Sequence, residues 1–120
     1  MAVRAVRGAV QLDEDDRDHL LASVEELLCT LLEANELDVD ALISVIFTST
    51  PDLHSEFPAL AARRLGIGDV PLLCAQELEI AGAMPRVVRL LAHVETERSR
   101  QDVRHVYLRG AAALRRDLAQ

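Results

Sequence analysis

Leu20, Leu21, Val24, Leu27, Leu28, Leu31 and Leu32 recur at spacings of three and four, and no other feature constrains the fold as strongly. Residues at those intervals share one side of an α-helix, so the stripe predicts an amphipathic helix that must lie on another apolar surface. Asp13 is the expected N-cap, with Glu14, Asp15 and Asp16 forming an acidic first turn that complements the helix dipole. The helix should end near Asn35. The stripe spans too few heptads for a coiled coil, so its leucines read as core or as packing between subunits. Cys29, on the same helix, reads as core.

The receiving surface should be a sheet. Val3 to Leu12 alternates as a strand does, with Val3, Ala5, Arg7 and Ala9 on one side and Arg4, Val6, Gly8 and Val10 on the other. Leu42 to Ser49 is β-branched and aromatic and reads as a strand buried on both faces, ended by Pro51. Phe57 to Leu65 is a second helix with Gly66 as its stop. Val70 to Glu79 reads as a third strand. There Cys74 and Glu77, three apart, would point to opposite sides unless a bulge lies between them. Arg86 to Thr96 suits helix or strand on pattern alone. Strand is favoured because Val88, Leu90, Ala92 and Val94 give one clean apolar side, leaving Arg89 on the other with Val87, Leu91 and His93. His105 to Leu108 is a last short strand, and Gly110 to Leu118 a helical turn. The order implies an α+β fold, a mixed, mostly antiparallel sheet packed by one long and one short helix, with parallel pairs possible in the first half. Residues 1–120 read as a single domain.

Apolar residues make up 50% of the chain, enough for a core, and the only aromatic residues are Phe47, Phe57 and Tyr107, so that core is aliphatic. The net charge of −7 argues against nucleic acid and anionic membrane as partners. No apolar run is long enough to span a bilayer, and the first residues, MAVRAVRGAVQLDEDD, lack the apolar stretch of a signal peptide, which suggests a cytoplasmic protein. Cys29 and Cys74 are far apart and form no CxxC pair, against a disulfide framework or a zinc site. Gly66-x-Gly68 lacks the third glycine of a dinucleotide fingerprint, and GxxxxGK[ST], HExxH and GxSxG are absent. No metal and no cofactor is expected.

What remains is a set of polar side chains on strands: Arg7, Glu77, Arg89 and Tyr107. A buried arginine is costly unless it meets an anion, and several converging would suit a small polycarboxylate, which guanidinium grips through two parallel hydrogen bonds. Taken singly, each has a plainer reading. Arg4 and Arg7 could be edge charges reaching to water, Glu77 a solvated acid, Cys74 a small core residue and Tyr107 packing.

Four segments decide between these readings: VRAVRGAV at Val3 to Val10, STPDLHSEFPA at Ser49 to Ala59, VPLLCAQE at Val70 to Glu77 and RHVYLRGAAALRRDL at Arg104 to Leu118. Together they resemble, nearly end to end, the monofunctional chorismate mutases of the Bacillus type, the AroH class. The resemblance implies a pseudo α/β-barrel homotrimer with active sites at subunit interfaces. It implies a cofactor-free isomerase that converts chorismate to prephenate in phenylalanine and tyrosine biosynthesis. By the same resemblance Arg89 and Glu77 are catalytic, Arg89 meeting the ether oxygen and Glu77 the ring hydroxyl. Arg7 and Tyr107 bind substrate carboxylates, and Cys74 is a pocket thiol. Arg63, Phe57, Ala59, Leu73, Leu114 and Arg115 match the wall or mouth, and a tail closing over the site is suggested by the last two. His54 and His105 read as structural. The chain departs from the family at Leu60, where well-known members carry lysine, at Leu73 in place of threonine and at Arg116 in place of proline. The alternative is a non-catalytic trimeric anion-binding protein, or a regulatory subunit docking on another enzyme of the pathway. The intact set Arg7, Glu77, Arg89 and Tyr107 disfavours both.

Overall fold

A computed structural model describes residues 1–114. The expected positions Arg115, Arg116 and Leu118 lie outside the described residues. Five strands form one sheet: β1 (Ala2–Gln11), β2 (Leu42–Ser49), β3 (Leu72–Gln76), β4 (Val87–Thr96) and β5 (Val106–Leu108). Helix α1 (Arg17–Ala34) follows β1, and α2 (Pro58–Arg64) connects β2 to β3. Single 3₁₀ turns occupy Val39–Ala41 and Arg109–Ala113.

The spatial order is β3-β2-β4-β1-β5. Strand β4 lies antiparallel between β1 and β2, whereas the two outer pairings, β1 with β5 and β2 with β3, are parallel. The sheet is mixed as expected, and although its pairings divide evenly, the longer ladders are the antiparallel ones. The β2–α2–β3 unit supplies one parallel pair, because a connection carrying a helix returns the chain in the same direction.

The leucine stripe packs as its spacing requires. Leu20, Leu21, Val24, Leu27, Leu28 and Leu31 join Val6, Val10, Phe47, Val88, Leu90, Ala92 and Val94 in one buried cluster. Gly8 permits the close approach of α1, since a Cβ there would stand 3.3 Å from both Leu27 and Leu90.

Several expectations are corrected. The N-cap of α1 is Asp16, whose carboxylate accepts from the His19 N–H, and not Asp13. Asp15 is engaged elsewhere, accepting the His54 and Ser55 N–H groups at 2.9 and 3.1 Å, so the acidic run is divided between a cap and a loop clamp. Cys29 is exposed, not core, because it falls on the outward side of α1 with Ala22 and Glu26. Strand β2 is buried on one face only: Leu42, Val45 and Phe47 are covered, while its other side is partly open. Strand β3 is shorter than expected and ends at Gln76. Cys74 and Glu77 need no bulge between them, since they fall on opposite sides; the register shift lies in β2, between Leu42 and Ser44. Asn35 closes α1 as expected and does more. It is buried, its amide donating to the Leu31 and Arg104 carbonyls while its side-chain oxygen accepts from the Arg104 N–H at 2.8 Å. The loop before β5 is thereby tied to the helix end.

Candidate active site

Residues opposite one another across strand ladders point to the same side of a sheet. The registers pair Ala75 with Thr48, Thr48 with Arg89, Arg89 with Ala9 and Ala9 with Tyr107. These residues form one row across all five strands, on the side away from α1. Arg7 lies on the same side, two residues before Ala9. The clean apolar alternation expected of β4 is what turns Arg89 outward from the core.

The best-defined contact joins Arg89 to Glu77. Arg89 Nε lies 2.9 Å from Glu77 Oε2 and 3.1 Å from Oε1. Glu77 directly follows β3, its backbone N–H donating to the Ser49 carbonyl, and alternation from Leu73 and Ala75 puts it on the side of Thr48 and Arg89. Thr48 Oγ1 donates to Glu77 Oε2 at 2.8 Å. The terminal nitrogens of Arg89 donate to no partner among the described residues. The Arg89 side chain is 42% exposed.

The start of β4 is held by contacts that sequence reasoning missed. Asp52 accepts the Arg86 N–H at 3.0 Å, and Thr50 Oγ1 accepts the Val87 N–H at 3.0 Å. Arg86 has φ 53°, a left-handed conformation strained for a residue with a Cβ. Its side chain donates to the Leu12 carbonyl, whose own N–H bonds back to the Arg86 carbonyl. The only hint in the sequence was Thr50-Pro51-Asp52, a cluster of turn formers.

Tyr107 is buried in a second small cluster with Ala9, Val87 and Ala111, against which Leu114 packs. Its hydroxyl bonds to no described residue. Two strand spacings, roughly 10 Å, separate it from Arg89 along the row. Arg7 is exposed and lines a cleft of about 300 Å³ with Arg4, Arg100, Leu91 and His105. The His105 ring accepts the Arg7 N–H at 2.9 Å, in keeping with a structural histidine. Arg4 donates to the Arg98 carbonyl.

The remaining expected residues lie elsewhere. Cys74 shares its row with Phe47, Leu90, Gly8 and Val106, on the helix side. With Phe57, Leu53 and His54 it lines a second cleft, of about 410 Å³. Phe57 is 68% exposed, Arg63 projects from α2, and Ala59 is buried in the main core. Leu73 is exposed on the open face of β3. Arg115 lies outside the described residues. One chain thus gathers Arg7, Glu77, Arg89 and Tyr107 on one side and separates them from the Phe57–Cys74 cleft.

Two carboxylates beside that cleft titrate below their ordinary range. Burial works against ionised Asp15, but hydrogen bonds from Ser55 and from the His54 N–H outweigh it. Glu56 is lowered first by the Phe57 N–H and then by Arg17, whose Nε lies at 2.9 Å. Among the described residues no group of histidine, cysteine and carboxylate side chains could hold a metal ion.

The family model described as chorismate mutase type I matches residues 3–118. The chorismate mutase AroH of Thermus thermophilus is 48% identical over 117 residues, covering 97% of this chain and 96% of its own. That of Bacillus subtilis is 34% identical, covering 99% and 94%. Among solved structures, a chorismate mutase from Clostridium thermocellum superposes with a TM-score of 0.90 at 38% identity, covering 92% of this chain and 98% of its own.

Proposed function

This chain belongs to the type I chorismate mutases, isomerases that rearrange chorismate to prephenate, and on that premise we propose that Arg89 and Glu77 carry the reaction on the open face of the sheet. The rearrangement is unimolecular and pericyclic. It needs no nucleophile and no proton transfer, only a folded substrate conformation and stabilisation of the charge that separates as the ether bond breaks. Negative charge grows on the ether oxygen and positive charge on the ring.

Arg89 acts on the first. A guanidinium fixed by strand and carboxylate interacts more strongly with the transition state than with the substrate, which is the condition for raising kcat. Glu77, at the ring hydroxyl, offsets the second. Arg7 and Tyr107 grip the substrate carboxylates and hold the enolpyruvyl arm over the ring. Cys74, Arg63, Phe57, Ala59, Leu73, Leu114 and Arg115 form wall and mouth. A rate enhancement of roughly 10⁶ requires about 8 kcal/mol. One charge-assisted donor contributes roughly 3–4 kcal/mol, leaving much of the remainder to preorganisation.

The observation that carries this reading is the Arg89–Glu77 pair, bonded through Nε with the terminal nitrogens donating to no described residue. The separation of the two residue sets supports an assembly, a homotrimer in which the Phe57 side of one subunit completes the arginine side of the next. Exposed Val3, Leu73 and Phe57 would be covered there. We read residues 1–120 as one domain of a cytoplasmic enzyme. The test is purified protein mixed with chorismate and nothing else. Loss of chorismate with appearance of prephenate, abolished in Arg89→Ala, is expected; binding without turnover would favour the silent anion-binding alternative.

A further inference from the structure

The bonding mode of the Arg89–Glu77 pair needs a cause. Carboxylate and guanidinium favour a fork in which two parallel N–H groups meet two oxygens. Such a fork here would occupy a terminal nitrogen of Arg89 and neutralise the donor that the reaction requires. In this protein Nε donates to Glu77 Oε1 at 3.1 Å and lies 2.9 Å from Oε2, and the terminal nitrogens donate to no described residue.

Thr48 is the one other described side chain that bonds Glu77. Its register partner on β4 is Arg89 itself, and its partner on β3 is Ala75, two residues before Glu77. The hydroxyl therefore rises from the sheet between the cation and the acid, 2.8 Å from Oε2. It occupies a lone pair that could otherwise swing to a terminal nitrogen. Alanine at 75 offers no competing polar group in the row.

We propose that Thr48 is a positioning residue, which holds the Glu77 carboxylate on Arg89 Nε and so keeps the terminal guanidinium nitrogens available to the substrate. This rests on the reading of Arg89 and Glu77 given above. The plainer account is that threonine at 48 merely suits a strand, as β-branched residues do. Valine would serve that purpose equally well.

The test is a double-mutant cycle on the full chain, with chorismate turnover and thermal unfolding both recorded. Thr48→Val keeps the β-branched shape and removes the hydroxyl. It should lower kcat about tenfold, a modest value for one hydrogen bond to a charged group, with KM changed less and Tm nearly unmoved. Thr48→Ser should recover most of the loss. In a Glu77→Ala background Thr48→Val should cost almost nothing further, because the group it acts through is gone. Three outcomes overturn the proposal: an unchanged kcat in Thr48→Val, no recovery with serine, or the same cost with and without Glu77. If Glu77→Ala itself leaves kcat intact, the assignment of Glu77 fails first, and that single variant reads it directly.

Discussion

The two faces of the sheet are made by the same strands and differ in nearly everything else. Along β4, Val88, Leu90, Ala92 and Val94 meet α1 and are almost wholly buried. Arg89, Leu91 and His93 stand between them on the open side and are only partly covered. The covered face holds no charged residue in its buried cluster, whereas the open face carries Arg7, Arg89 and the Glu77 carboxylate. The difference teaches that a period of two lets one strand serve stability and chemistry independently. Substitutions on the two faces should therefore separate into different measurements.

The largest expected effect breaks the covered face. Phe47 is fully buried at the centre of the cluster, and Phe47→Ala should cost roughly 3–5 kcal/mol of unfolding free energy through lost burial and an unfilled cavity. Well below its lowered Tm, the variant should keep near-normal kcat; a large loss of kcat there would mean the faces are coupled. Next comes the open face. Arg89→Ala should lower kcat by roughly 10²–10³, while denaturant midpoints move little because a half-exposed ion pair is worth about 1 kcal/mol or less. Cys74 sharpens the contrast. It shares a row with Phe47 rather than with Arg89, so Cys74→Ala should reduce kcat far less than Arg89→Ala. Comparable losses would refute the ranking.

Between these lies Asn35, which belongs to neither face but decides where β5 runs. Its three bonds tie the end of α1 to the loop before β5, and Asn35→Ala would remove the bond to the Leu31 carbonyl and both bonds to the Arg104 backbone. A loss of about 1–3 kcal/mol is expected from chemical denaturation. Because β5 carries Tyr107, KM should rise as well.

Which side each residue faces was legible from alternation alone. Although Arg86 to Thr96 could have been helix or strand, the parity of Val88 to Val94 already set Arg89 apart from the core. The helix stripe and the limits of β2 were equally plain. What alternation cannot state is which strand lies beside which. The order β3-β2-β4-β1-β5 brings Thr48 next to Arg89 across some forty residues of chain, and no local pattern near Thr48 announces it. The same limit hid the single-sided burial of β2, since an apolar run reads alike whether one face or both are covered within the chain. Cys29 was misjudged for a simpler reason: it lies one residue past the stripe, a rotation of about 100° away from the sheet. The proposed active-site residues were assigned through resemblance, because arginines on strands carry no motif of their own.

The smallest expected effect concerns acid. Asp15 ties the start of α1 to the loop at His54 and Ser55, beside the Phe57 cleft, and its carboxyl is held below the ordinary carboxylate range. A lowered folded-state pKa adds stability above the unfolded value, and that contribution disappears as pH falls through the folded value. The Tm of the parent protein should therefore exceed that of Asp15→Asn at neutral pH by a small margin, since the group is largely exposed and screened. The margin should shrink as pH falls through the acidic range. The clamp touches the cleft and not the arginine face, so any kinetic change should appear in KM with kcat preserved. A margin that stays constant down to the lowest pH would show that the ionised carboxylate is not what holds the loop.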